Sequence, residues 1–216
     1  SQGFMNSVSR LLSESGISPS DIAYLVHATT IATNAIIEGK IARTGFITTS
    51  GFRDMLEIGR QIRPTLYDLQ FVKPPPLVPR YLSFDIPERM DSRGHVVLSL
   101  DEESVRSAAR SLKNRGVESV AVCFLHSYIN SDHERRAGEI ITEEYPEAIV
   151  SLSSDIAPEF REYFRASTTV INAATIPVVS DYLGNIESRL RREGFTSELL
   201  VMQSSGGVLT FKTAGE

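Results

Sequence analysis

Between Asp101 and Leu152 two helical stretches alternate with two short apolar runs, and this alternation limits the fold more than any other feature of the chain. Asp101 can cap a helix whose residues Val105, Ala108, Ala109 and Leu112 share one face and which Gly116 closes. The run ESVAVCFL (118–125) that follows is apolar without a break, as in a strand covered on both faces. Ser131 and Glu134 have capping-box spacing; Ala137, Ile140, Ile141 and Tyr145 continue that helix toward a second strand, AIVSL (148–152). Strands separated by single helices at this spacing build βαβ units, so the expected class is α/β with a mainly parallel sheet.

The flanking segments fit the same class. Phe4, Val8, Leu11 and Leu12 mark a helix that ends near Gly16, and IAYLVHATT (22–30) reads as a buried strand running into a polar turn. TIATNAIIEGK (30–40) reads as a helix stopped by Gly39, ARTGFITT (42–49) as a strand and GFRDMLEIGR (51–60) as a short helix. From Gly59 to Pro79 the period is lost among prolines, arginines and aromatics, which predicts a long ordered loop or linker. YLSFDIPERM (81–90) and HVVLSL (95–100) flank DSRG, a hairpin signal. Residues 158–193 read as mainly helical, with Ile171, Thr175, Val178, Tyr182, Ile186 and Leu190 on one face and Pro177 expected to kink or divide the helix. ELLVMQ (198–203) is a last strand, turned by SSGG into VLT (208–210).

Several function classes are excluded. The net charge is −5, and the densest basic cluster, Arg189, Arg191 and Arg192, lies at a helix end where the dipole favours it, so no nucleic-acid surface is indicated. No apolar run approaches the ~20 residues that cross a bilayer, so no membrane is expected as a partner. The single cysteine, Cys123, sits in the apolar run and reads as an inert core residue, which fits a reducing, cytoplasmic compartment. The four histidines are widely spaced and none pairs with the cysteine, so no metal site is expected. Neither G-x-x-x-x-G-K-[ST] nor G-x-G-x-x-G occurs, and G-x-S-x-G and H-E-x-x-H are absent too.

Three local features remain. In HATTIATNA (27–35) a strand delivers His27, Thr29 and Thr30 to its end, where open α/β sheets bind ligands. Hydroxyls beside free N–H groups suit an anion or a carbonyl oxygen, and equally Thr29 or Thr30 can simply cap the helix while His27 sits in the core. QSSGG (203–207) allows either close approach to a ligand or a plain hairpin turn. PEFREYFRASTTVINA (158–173) places Glu159 near Arg161 and Glu162 near Arg165, pairs that read as helix-surface ion pairs of small worth.

Taken in order, HATTIATNAIIEGKIARTGFITTSGFRDMLEIGRQIRPTLYDL, KPPPLVPR, AVCFLHSYINSDHERRA, PEFREYFRASTTVINA and LLVMQSSGGV resemble the amino-terminal region of the hydantoinase A/5-oxoprolinase family, N-methylhydantoinase A-like, from about His27 to Val208. The clearest departure is Ala28, where the family usually has glycine. The resemblance implies an α/β fragment of an actin/sugar-kinase/Hsp70-like (ribonuclease H-like) fold with an inserted βαβ-type subdomain. It divides the chain into part of a first nucleotide-fold lobe (1–58), a proline-rich connection (59–80), an α/β subdomain (81–157) and a helix with a strand hairpin leading into the second lobe (158–216). It further implies an ATP- and Mg2+-dependent hydrolase of lactams, hydantoins or 5-oxoproline that activates the substrate oxygen by phosphorylation, working with a hydantoinase B-type partner subunit or domain. A subunit of an ATP-dependent ketone carboxylase and a non-catalytic interaction module are the alternatives.

The family's D-x-G-G-T-x-T-D and later phosphate loops are not in this stretch, so the chain reads as an interior piece that is inactive alone and binds no cofactor tightly. His27, Thr29, Thr30, Thr33 and Asn34 carry over as substrate or nucleotide cleft residues, with Gln203, Ser204, Gly206 and Gly207 as a second group. Arg60, Gln61 and Arg63 match the family's RQ-x-RP and are expected to meet substrate, nucleotide or partner. No residue is assigned as general base.

Overall fold

A computed structural model describes residues 2–62, 67–203 and 206–215. Two compact units emerge, one formed by the chain up to Ile41 together with that from Thr175 on, the other by Ala42–Ala174 inserted between them. The first unit opens with α1 (Gln2–Ser15), β1 (Tyr24–Ala28) and α2 (Ile31–Ile37). The inserted unit holds β2 (Thr44–Thr49), α3 (Met55–Ile58), β3 (Ser83–Ile86), the short strands β4 (Arg89–Met90) and β5 (Val96–Leu98), α4 (Glu102–Asn114), β6 (Ser119–Cys123), α5 (Asp132–Glu144), β7 (Ile149–Leu152) and α6 (Ser153–Ile156). Helix α7 (Glu162–Arg192) begins in the inserted unit and ends in the first, which closes with β8 (Glu198–Met202), β9 (Val208–Thr210) and α8 (Phe211–Ala214).

The inserted unit is built on a parallel four-stranded sheet in the order β3-β2-β6-β7. Every residue of β2 and β6 is buried, because helices cover both faces of a sheet made by crossover connections. Val105, Ala108, Ala109 and Leu112 of α4 pack into this core beside Phe46 and Ile47. Burying each large aliphatic chain there contributes about 1.5–3 kcal/mol. The Asp101 carboxylate accepts from Ser104 N at 3.2 Å and caps α4, while Gly39 and Gly116 stop α2 and α4 with φ of +66° and +64°. The DSRG turn forms as read, with Asp91 O accepting from Gly94 N at 3.1 Å between antiparallel β4 and β5.

Close packing leaves little room for a side chain at one glycine. A Cβ at Gly45 would lie 2.6 and 2.8 Å from the two methyl carbons of Leu112, which is itself fully buried. We expect Gly45→Ala to lower stability by about 1–3 kcal/mol, the range for overpacking, measured by urea unfolding followed by circular dichroism. A cost below experimental error would mean that α4 can move off the sheet.

In the first unit β1 pairs in parallel with β8, and β8 pairs antiparallel with β9. One face of this sheet packs on Met5, Leu183, Ile186, Leu190, Phe195 and Phe211. On β1, however, Tyr24 and Val26 are 68% and 46% exposed, so the strand is not buried as its apolar run suggested. It is an edge strand of a sheet covered on one face.

Other expectations change as well. Leu11 of α1 is exposed, and Met5 takes the buried place on that helix with Phe4, Val8 and Leu12 partly buried. Ile171 of α7 is likewise exposed. Helix α7 is not divided at Pro177, although that residue lacks the N–H that would bond the Ala173 carbonyl. The two units divide the chain at 41/42 and 174/175, and β2 pairs with β6 some seventy residues later in the chain.

The acidic and basic residues around α5 and α7 depart furthest from the sequence reading. Ser131 precedes α5 without a side-chain capping bond. Glu134 instead turns inward and is fully buried, accepting from Phe124 N (2.7 Å), Ser153 Oγ (2.6 Å) and Ser154 N (2.8 Å). Arg165 is buried too, donating to Ser153 Oγ (3.0 Å), Glu159 O (2.7 Å) and Phe124 O (2.8 Å) with its guanidinium 5.2 Å from the Tyr128 ring centroid. No ion pair joins Glu162 to Arg165 or Glu159 to Arg161 among the described residues, so the surface pairs read from spacing are replaced by a buried network.

Candidate functional site

The register of the first unit's sheet creates its cleft. Ala28 lies opposite Met202 across the parallel pair, so β1 and β8 end together and bring Thr29 and Thr30 beside Gln203. These residues, with His27, Ala28, Met202 and Tyr182 of α7, line an open cavity of about 490 Å3 at the carboxyl ends of the strands. Ligands occupy this position in open α/β sheets.

His27 is 7% exposed and boxed by aromatic rings, with Phe4 4.4 Å and Phe211 6.5 Å away between centroids. Its Nε2 lies 3.1 Å from the Tyr182 hydroxyl. Burial disfavours the imidazolium, so the ring titrates below the usual histidine value of 6.5 and is neutral at pH 7. Thr29 Oγ1 accepts from Ile31 N at 3.2 Å and supplies the cap at the start of α2. Thr30 stands at the N-cap position without a capping bond, and its hydroxyl accepts from Asn34 Nδ2 at 3.4 Å. With seven residues, α2 is too short to present a strong dipole to an anion.

Of the remaining expected cleft residues, Thr33 and Asn34 are exposed on α2 and do not line the cavity. Gly206 and Gly207 are exposed and serve the turn between β8 and β9: Gly206 N donates to Gln203 O (3.0 Å) and Gln203 N to Gly207 O (2.8 Å). Ser204 lies outside the described residues. Arg60 and Gln61 belong to the inserted unit, where they line a separate open cavity of about 770 Å3 with Ile58, Phe71, Lys73 and Tyr163. The Arg60 guanidinium sits 5.1 Å from the Phe164 ring centroid, and Gln61 has φ of +55°. Arg63 lies outside the described residues.

Tyr182 is the cleft residue that sequence reasoning missed. Its helical spacing placed it on the apolar stripe of α7, and nothing local marked its hydroxyl as facing the end of a strand 155 positions earlier. The lining contains hydroxyls, one primary amide and a neutral imidazole, with no lysine, arginine or carboxylate. Among the described residues no cluster of three or more His, Cys, Asp or Glu side chains is placed to hold a metal ion, and no helix is long and apolar enough to cross a membrane.

The architecture is that of an α/β protein with an inserted βαβ-type unit and an open polar cleft at the strand ends of its first unit. The chain belongs to the hydantoinase/oxoprolinase family: the profile of the family's N-terminal region matches residues 1–145, and that of hydantoinase/oxoprolinase matches residues 165–216. An uncharacterized protein of Methanocaldococcus jannaschii is 44% identical over 198 residues, covering 90% of this chain and 29% of the relative. The acetophenone carboxylase gamma subunit of Aromatoleum aromaticum is 34% identical, covering 95% of this chain and 30% of that one. The crystal structure of the ATP-dependent caprolactamase from Pseudomonas jessenii superposes with a TM-score of 0.86 at 31% identity, covering 94% of this chain and 30% of that chain. The chain thus spans less than a third of the length of these relatives.

Proposed function

We propose that this chain is part of the ATP-binding subunit of a cytoplasmic enzyme that hydrolyses a small cyclic amide, a lactam, hydantoin or 5-oxoproline. The observation that carries the reading is the likeness to the ATP-dependent caprolactamase across nearly the whole chain. A resonance-stabilised amide is a poor electrophile; ATP, when bound, supplies the phosphoryl group that turns its oxygen into a leaving group. The residues of the first unit's cleft do not fit a triphosphate, since they include neither cations nor a glycine cradle, and they do not fit Mg2+ for want of carboxylates. Both are expected to be held by other parts of the full-length protein.

What His27, Thr29, Thr30 and Gln203 offer is a neutral wall of donors and acceptors suited to orienting an uncharged amide. Arg60, Gln61 and Arg63 are assigned to contact with substrate, nucleotide or a hydantoinase B-type partner. Thr33, Asn34, Ser204, Gly206 and Gly207 are kept as positions that meet ligand only when the rest of the protein is present.

The test is ATP hydrolysis by the full-length protein with its partner. Stimulation by a lactam, a hydantoin or 5-oxoproline supports the reading, and its absence with all three ends it. The acetophenone carboxylase subunit favours a second reading, carboxylation of a ketone, which predicts ATP turnover dependent on ketone and bicarbonate. Failure of the full-length protein to bind an ATP analogue saturably would leave an interaction module. The 216-residue chain alone is expected to be inactive and to bind ATP weakly, and micromolar affinity by calorimetry would contradict that.

A further inference from the structure

We propose that the Tyr182 hydroxyl is the group in the first unit's cleft that hydrogen-bonds the carbonyl oxygen of the substrate amide, and that His27 is its positioning residue. The inference rests on the reading of the substrate as a cyclic amide and adds how this cleft grips it. All three cleft hydroxyls keep an O–H to donate; Thr29 and Thr30 accept from Ile31 N and Asn34 at the start of α2, whereas Tyr182 is held by a buried ring, that of His27. The lining is uncharged, which favours a neutral carbonyl over a phosphate or a carboxylate.

Assigning the His27 proton to Nε2 sets the direction of the phenol proton. A neutral imidazole carries one N–H, and among the described residues Tyr182 is the hydrogen-bond partner of this ring. With that proton on Nε2, the ring donates to the tyrosine oxygen, and the tyrosine O–H is left to donate into the cleft. The rings of Phe4 and Phe211 hold the imidazole in place, so the donor is aimed before any ligand arrives. His27 thereby acts on the substrate through Tyr182 without touching it.

The test uses the full-length protein and 2-pyrrolidinone, a neutral cyclic amide, with binding followed by ligand-observed NMR. Tyr182→Phe should weaken binding by about threefold to tenfold, the worth of one hydrogen bond, and leave the affinity for an ATP analogue within twofold. His27→Leu should do the same, and His27→Gln, whose amide N–H can take the place of Nε2–H, should restore most of the loss. Equal binding by wild type and Tyr182→Phe, or no binding by wild type, overturns the proposal. So does a 15N spectrum of the histidine-labelled 216-residue chain in which His27 Nε2 carries no proton. Binding of 2-pyrrolidinone that depends on Tyr182, without amide-stimulated ATP hydrolysis, would instead end the hydrolase reading and leave the amide clamp standing.

Discussion

Replacing Arg165 with methionine will lower the unfolding free energy of the inserted unit by about 3–5 kcal/mol, the cost of removing one member of a buried charged network. The guanidinium joins three separate parts of the chain: the end of β6 through Phe124 O, the approach to α7 through Glu159 O, and the start of α6 through Ser153 Oγ. Ser153 in turn donates to Glu134, whose carboxylate also holds the amides of Phe124 and Ser154. Methionine fills much of the volume and leaves the buried Phe124 carbonyl and the Ser153 hydroxyl without this donor. Urea unfolding read by circular dichroism gives the cost. In a Glu134→Gln background the same substitution should cost less, because the chain of hydrogen bonds from Arg165 through Ser153 to Glu134 is already weakened. A loss under about 1 kcal/mol for Arg165→Met alone would place Arg165 among ordinary surface cations and remove the network from the account of stability.

Cys123 will resist iodoacetamide at pH 8 in the folded protein, reacting far more slowly than in urea, because its sulfur is enclosed and the thiolate is the reactive form. Its thiol lies in the last position of β6 with its sulfur 4.0 Å from Glu162 O, and burial pushes its pKa from 9.0 up to about 12. Labelling then proceeds only through openings of the inserted unit, so mass spectrometry of alkylated protein against time reports their frequency. Arg165→Met should speed it. The same shift makes alkali destabilising: from pH 9 to 12 the unfolded thiol ionises while the folded one keeps its proton, so stability falls as pH rises across that window. Native labelling as fast as in urea would show that the sulfur is not enclosed.

Where side chains obey the period of their own element, the sequence was readable. Asp101, the stripe Val105, Ala108, Ala109 and Leu112, and Gly116 define α4 from start to stop, and the structure agrees at each position. The unbroken run of β6 reads as doubly covered for the same reason. Glu134 was misread because capping-box spacing is a local signal, and the groups that claim its carboxylate are set by β6 and by Ser153 nineteen positions away. Arg165 was misread similarly, since a charge at ion-pair spacing on a helix looks identical whether the helix faces water or β6.

The burial of β1 was overestimated because composition reports what a strand can bury and not which layers surround it. In the cleft, sheet logic alone put His27, Thr29 and Thr30 at a strand end, and their meeting with Gln203 depends on the β1–β8 register. Tyr182 could not be found this way, for its role depends on a contact between α7 and β1 that no periodicity encodes.

The first and last residues of the inserted unit are joined directly: Ala42 N donates to Ala174 O at 2.9 Å. A stretch of 133 residues thus starts and finishes at one point, with its second junction inside the continuous helix α7. Any exchange of it has to be joined within that helix. Protein engineers could exchange it between relatives, close the gap with a short linker or move its ends elsewhere by circular permutation. Evolution would have had the same liberty, with new specificity carried in as a block and the host framework left untouched.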